Sequence, residues 1–154
     1  FSDKNPLYVA LLRGAAPFAS KLMFELVRLK PDLHPELDYM TISTYGSGRN
    51  AGTPHIAMDL SPDTDIRGRN VIVVDDVLDK GVTSTFVTQY LLGKGASEVK
   101  LAVLVEKDLD RTSPKHADYA CFHAGPEWLA GMGMDDATVA RDGWRWLDEI
   151  RVVA

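Results

Sequence analysis

Asn70-Val-Ile-Val-Val-Asp75-Asp76-Val-Leu-Asp79-Lys80-Gly81-Val82-Thr83 is the stretch whose reading decides the fold. Four consecutive β-branched residues, Val71 to Val74, suit a strand buried on both faces. Three carboxylates follow within five residues, and they repel one another without a cationic or hydroxyl-rich partner. A ribose diol and a magnesium ion are natural partners for Asp75 and Asp76. Val82 to Gly93 then reads as a helix, with Phe86, Val87, Tyr90 and Leu91 on one face and Gly93 and Gly95 closing it. The first amides of such a helix are unsatisfied and its N-terminus is partly positive, so it can hold a phosphate. Gly81 allows close approach, and Thr83, Ser84 and Thr85 add hydroxyl donors. The plainer alternative is that Asp79 and Thr83 cap the helix and the Asp pair is a solvated turn. The whole pattern, strand then acids then Asp-x-Gly-x-Thr, favours the anion site.

The flanking sequence repeats the strand–helix rhythm. Leu7-Tyr-Val-Ala-Leu-Leu12 is a short apolar run ending in Arg13-Gly14, as a buried strand followed by a turn would be. Phe18, Leu22, Leu26 and Leu29 recur at spacings of four and three, which gives a helix a broad apolar face. A second strand is expected over 38–45 and a short one over 55–59. Gly46 to Gly52 has three glycines and no periodicity, which predicts a mobile loop. Further strands are expected at 99–105, 117–122 and 149–153, with Trp144 and Trp146 anchoring the last. This alternation predicts an α/β fold: an open, mostly parallel, twisted sheet with helices on both faces. Ligands of such sheets bind beyond the carboxyl ends of the strands, where the three aspartates lie.

Composition narrows the function classes. The chain has 154 residues, 45% hydrophobic and 25% charged, as an ordinary globular domain has. It reads as a single domain over 1–154. It begins at Phe1, almost at the first core strand, which leaves open that N-terminal residues are lacking. A net charge of -5 argues against a nucleic-acid partner. No apolar run approaches the roughly 20 residues that span a bilayer, so no membrane partner is expected. No secretory leader is visible. The single Cys121 fits a reducing cytoplasm and is expected as a small core residue. The four histidines show no metal-ligand spacing. Lys107, Asp108, Asp110 and Arg111 read as a solvated loop.

Val71 to Thr83 resembles the phosphoribosyl pyrophosphate (PRPP) signature of type I phosphoribosyltransferases. The likeness extends to the hypoxanthine-guanine type over most of the chain. Leu12-Arg13-Gly14 resembles their pyrophosphate loop, which reads Leu-Lys-Gly and can hold a non-proline cis peptide. Ser43-Thr44-Tyr45-Gly46 resembles the start of their flexible catalytic loop. Lys115 matches a lysine that contacts the purine 6-oxo group. Trp128-Leu129 stands where an aromatic ring stacks on the base and the next backbone binds its exocyclic edge. Gly131-Met-Gly-Met-Asp135 resembles a segment whose aspartate lies near base and metal. Arg141-Asp142 resembles a late pair whose arginine reaches pyrophosphate. Lys80 departs from the usual Thr, and Asp75 from a common Glu.

The resemblance implies a small C-terminal hood and magnesium-dependent transfer of phosphoribosyl from PRPP to a 6-oxopurine. Pyrophosphate and a nucleoside 5′-monophosphate would be released, as in purine salvage. Asp75 and Asp76 would hold the ribose hydroxyls. Asp79, Lys80, Gly81, Val82 and Thr83 would grip the 5′-phosphate, with Asp79 as the catalytic base for purine N7. Arg13, Gly14 and Arg141 would bind pyrophosphate. Asp75, Asp76 and Asp135 would be the metal carboxylates, and a homodimer or homotetramer is expected. The rivals are another base, a non-catalytic PRPP-sensing regulator, and a nucleotide-binding domain without transferase chemistry.

Overall fold

The computed structural model describes residues 5–44, 52–111, 113–114 and 116–153. Ten elements follow one another: β1 (Leu7–Leu12), α1 (Ala16–Leu29), β2 (Glu36–Thr44), β3 (Pro54–Met58), β4 (Asn70–Leu78), α2 (Val82–Gly93), β5 (Glu98–Lys107), β6 (Tyr119–Ala124), β7 (Trp128–Ala130) and β8 (Arg151–Val153). Six strands form one sheet in the order β3-β2-β1-β4-β5-β6. All pairs are parallel except β2 with β3 at one edge.

Strand alternation sorts the core into two layers. Leu7, Val9, Val71 and Val73 pack with Val87 and Leu91 of α2. Tyr8, Ala10, Ile72 and Val74 pack with Phe18 and Ala19 of α1. The helices therefore cover opposite faces, as right-handed crossovers running in opposite directions from β1 and β4 require. The strand order reverses between β1 and β4, and the crevice at such a switch point is where open α/β sheets bind ligands.

Several expectations needed correction. β4 runs on to Leu78, with Asp75 opposite Val103 and Leu78 opposite Glu106. The acid pair thus lies inside the strand end rather than in a turn beyond it. Trp128–Ala130, not foreseen as a strand, pairs antiparallel with β8 and makes a separate two-stranded hood. Three residues are too short for any pattern of their own to show. Cys121 is exposed, not in the core, because β6 is an edge strand and, among the described residues, no helix lies between it and β5. Leu29, counted in the apolar stripe of α1, is 72% exposed at the helix end. Trp146 is 71% exposed and anchors nothing, whereas the Arg151 guanidinium lies 6.0 Å over the Trp144 ring.

Candidate functional site

A cleft of about 380 Å³ opens at the carboxyl ends of β1 and β4. Asp75 and Asp76 stand on one wall. Burial pushes the Asp75 carboxyl well above the ordinary carboxylate range, and the Asp76 charge adds to this. Burial also raises Asp76, though less, because a hydrogen bond with Asp75, then the Val77 amide and, least, the Arg145 cation favour its charge. The pair therefore resists carrying two charges until a cation or ligand hydroxyls arrive.

The wall continues into the start of α2. Gly81 is the N-cap with φ 80°, and among the described residues no side-chain hydrogen bond caps the helix. The plain capping role for Asp79 and Thr83 is thus not what these residues do. A β-carbon at Gly81 would meet the Ser113 carbonyl at 2.6 Å, so glycine is required by both conformation and space. Of the three hydroxyl residues, Thr85 is committed elsewhere, donating to the Ser113 carbonyl at 2.8 Å.

The opposite wall is the turn after β1. The Leu12–Arg13 peptide is cis. Gly14 lies so close to the acid pair that a β-carbon there would sit 2.0 Å from Asp76 Oδ2. Arg13 pairs with Asp142. Asp142 also accepts from Arg145 Nε at 2.7 Å, and Arg145 Nη2 reaches Asp135 Oδ2 at 2.9 Å. A chain of alternating charges thus runs from the β1 turn to the hood.

A second cleft, about 170 Å³, adjoins the first and shares Asp76, Asp79 and Asp135 with it. Lys107 ends β5 there with only 5% of its surface exposed. Its ammonium is 3.9 Å from Asp79 Oδ2 and 5.8 Å from the centre of the Trp128 ring. The Trp128 indole N–H donates to the Asp135 carbonyl at 3.2 Å, which fixes the ring. Behind Asp79, Arg111 donates from Nη1 to the carbonyls of Asp79 (3.0 Å) and Lys107 (2.7 Å). Its Nη2 donates to Glu106 at 2.7 Å, and both side chains of this pair are 4% exposed. Burial works to raise the Glu106 carboxyl, but His116, the Ala117 amide and Arg111 hold it below its usual range on balance.

The model of the phosphoribosyl transferase domain matches residues 1–137. The chain belongs to the phosphoribosyltransferase family. Among similar proteins is the hypoxanthine-guanine phosphoribosyltransferase of Streptococcus thermophilus, 37% identical over 88% of this chain and 72% of its own length. That of Streptococcus pyogenes is 34% identical over 89% and 73%. A Staphylococcus aureus hypoxanthine phosphoribosyltransferase structure has a TM-score of 0.81 at 26% identity, covering 97% of this chain and 76% of that one. A Trypanosoma cruzi hypoxanthine phosphoribosyltransferase variant, complexed with the product IMP, gives 0.82 at 25% identity, covering 97% and 73%.

Within this phosphoribosyltransferase, Asp75, Asp76, Asp79, Lys80, Gly81, Val82, Thr83, Gly14 and Asp135 converge on the larger cleft. Asp79, Trp128, Leu129 and Asp135 converge on the smaller. Thr44 closes β2 and is exposed. Tyr45 and Lys115 lie outside the described residues. Arg141 is exposed. The arginine that does line the larger cleft is Arg145, 8% exposed. Lys107 and Arg111 are corrections too, since Lys107 is buried and the Arg111 side chain is 4% exposed rather than in a solvated loop; of the four only Asp108 and Asp110 are exposed. The sequence carried one signal for Lys107, a Glu106-Lys107 pair at the end of the apolar run Leu101 to Val105. Arg111 and Arg145 had none, because their partners are distant in the chain or set by turns.

Proposed function

We propose that this phosphoribosyltransferase joins a 6-oxopurine to PRPP, releasing pyrophosphate and the nucleoside 5′-monophosphate. The observation that carries this reading is the pair of adjoining clefts. One offers uncapped helix amides beside two aspartates; the other offers a cation and a fixed aromatic ring; Asp79 stands on both. The likeness to hypoxanthine-guanine enzymes at 34–37% identity points the same way.

In this reading the Gly81, Val82 and Thr83 amides bind the 5′-phosphate, with Lys80 at the rim. Asp75 and Asp76 hold the ribose hydroxyls, and their charge favours a cationic anomeric carbon. Arg13 and Gly14 face pyrophosphate, and Arg141 joins them from the hood side. Trp128 stacks on the base, the Leu129 backbone meets its exocyclic edge, and Lys107 donates to its 6-oxo group. Asp79 accepts the N7 proton as the ring nitrogen attacks.

The residues present fit a magnesium ion. Their donors are all carboxylate oxygens, and a buried pair that resists double ionisation gains from a cation. No group of three His, Cys, Asp or Glu side chains among the described residues could form a protein-only cage. That suits an ion held by one or two carboxylates from Asp75, Asp76 and Asp135, with ligand oxygens and water completing the shell. When bound, the ion supplies charge neutralisation for the departing pyrophosphate. Among the described residues, no helix is long and apolar enough to cross a membrane. A cytoplasmic homodimer or homotetramer in purine salvage completes the proposal. Incubation with PRPP, magnesium and a panel of bases tests it by pyrophosphate release. Release with hypoxanthine or guanine is expected, and no release with any base refutes it.

A further inference from the structure

We propose that Arg111 is a positioning residue for the base-side chemistry: its guanidinium sets Asp79 and Lys107 at their working separation. This rests on the reading that those two side chains face the base.

Asp79 follows the end of β4 and Lys107 ends β5. The strands are neighbours, with Leu78 opposite Glu106. Lys107 is paired with Ala124 of β6, but beyond the Leu78–Glu106 register no ladder pairing joins it to Asp79, so the spacing across β4 and β5 rests on another link. Arg111 Nη1 is bonded to both carbonyls, at 3.0 and 2.7 Å. A guanidinium is flat, and its N–H groups diverge in fixed directions. Held against two carbonyls, it fixes both peptide groups together. Their side-chain heads then stand 3.9 Å apart, one positive and one negative.

Burying that cation requires a counter-charge, and Glu106 provides it at 2.7 Å. Glu106 is itself immobilised by the Ala117 amide at 3.1 Å and by His116 at 2.8 Å. The clamp is therefore braced by β5 on one side and by the segment entering β6 on the other. Arg111 itself lines neither cleft; it meets them only through the backbones of Asp79 and Lys107. It acts only through the two residues it holds.

A lysine at 111 keeps the charge beside Glu106, but its single ammonium cannot reproduce the fork. Arg111→Lys should hold its melting temperature while Lys107 loses its fixed aim at the 6-oxo group. The decisive readout is the ratio of kcat/KM for hypoxanthine over unsubstituted purine, which lacks that group. The ratio should fall about tenfold in Arg111→Lys, since discrimination depends on a correctly placed polar partner. The KM for PRPP should stay within about threefold, because the helix amides are untouched. Glu106→Gln is the second variant; it removes the anchoring charge at constant shape and should lower the ratio in the same direction, by less.

An unchanged ratio in a folded Arg111→Lys protein overturns the proposal, as does an equal loss with both bases. If only Glu106→Gln folds, an unchanged ratio there does the same. Failure of both to fold would make the cluster purely structural and overturn it too. A wild-type protein that turns over no base overturns the functional reading beneath it, which separates the two failures.

Discussion

Lys107→Met separates what Lys107 does for the base from what it does for the fold. The side chain is 7% exposed, so methionine occupies much the same space without the charge. Two contributions are lost. At 3.9 Å from Asp79 Oδ2, a unit charge pair is worth about 4 kcal/mol at an effective dielectric of about 20. Asp79 is 41% exposed, and solvent reduces this towards about 1 kcal/mol. The charge-assisted hydrogen bond to a 6-oxo group adds about 1.5–3 kcal/mol. Together these amount to about 2.5–4 kcal/mol, or about 70- to 900-fold in kcat/KM for hypoxanthine. For purine only the first contribution remains, about fivefold. The fold should not suffer, because an ion taken out of water costs more than a well-packed apolar side chain. The melting temperature is therefore expected to hold or rise. Steady-state kinetics with both bases and a thermal melt complete the assay. Equal losses with the two bases, or a melting temperature several degrees lower, would refute the reasoning.

Asp79→Asn should cut turnover by about 10²- to 10⁴-fold while calorimetry still detects PRPP binding; equal activity would remove Asp79 from the chemistry. Gly81→Ala forces an L residue to φ 80° and places a β-carbon 2.6 Å from the Ser113 carbonyl. The left-handed conformation alone costs roughly 1–2 kcal/mol, so the melt should drop by about 5 °C or more, with weaker PRPP binding. An unaltered PRPP affinity would place the phosphate elsewhere. Burial holds the Asp75 carboxyl well above the ordinary carboxylate range in the folded state. Its neutral form is favoured by the fold, so this contribution is present in acid and lost as pH rises through the raised value. Asp75→Asn should therefore melt higher than wild type without ligand, by about 1–2 kcal/mol near neutrality. The gap should widen from pH 4 to pH 8; parallel curves would contradict the burial of a charge there.

Local chemistry made much of this fold legible. The runs Leu7–Leu12 and Val71–Val74 are strands because a continuous apolar segment has no other low-cost use in an alternating α/β chain. The bounds of α2 were visible as well, since Gly81 and Gly93 bracket its apolar face. The acid pair and the phosphate turn are consecutive residues, so one motif shows them all. The base side is different. Trp128 and Leu129 were found only by likeness, and their strand β7 exists because β8 pairs with it.

Sequence by itself determined the strand–helix alternation and the acidic strand end that leads through Gly81 into α2, because both depend on neighbours within about ten residues. Tertiary structure alone decided which cations line or back the two clefts. Lys107 gains its place from the end of β5 beside β4, and Arg111 from two carbonyls 32 and 4 residues away. Arg145 is turned into the larger cleft, held by Asp135 and Asp142. A charged residue looks solvated in a sequence because burial of its charge depends on partners that only the folded chain brings near.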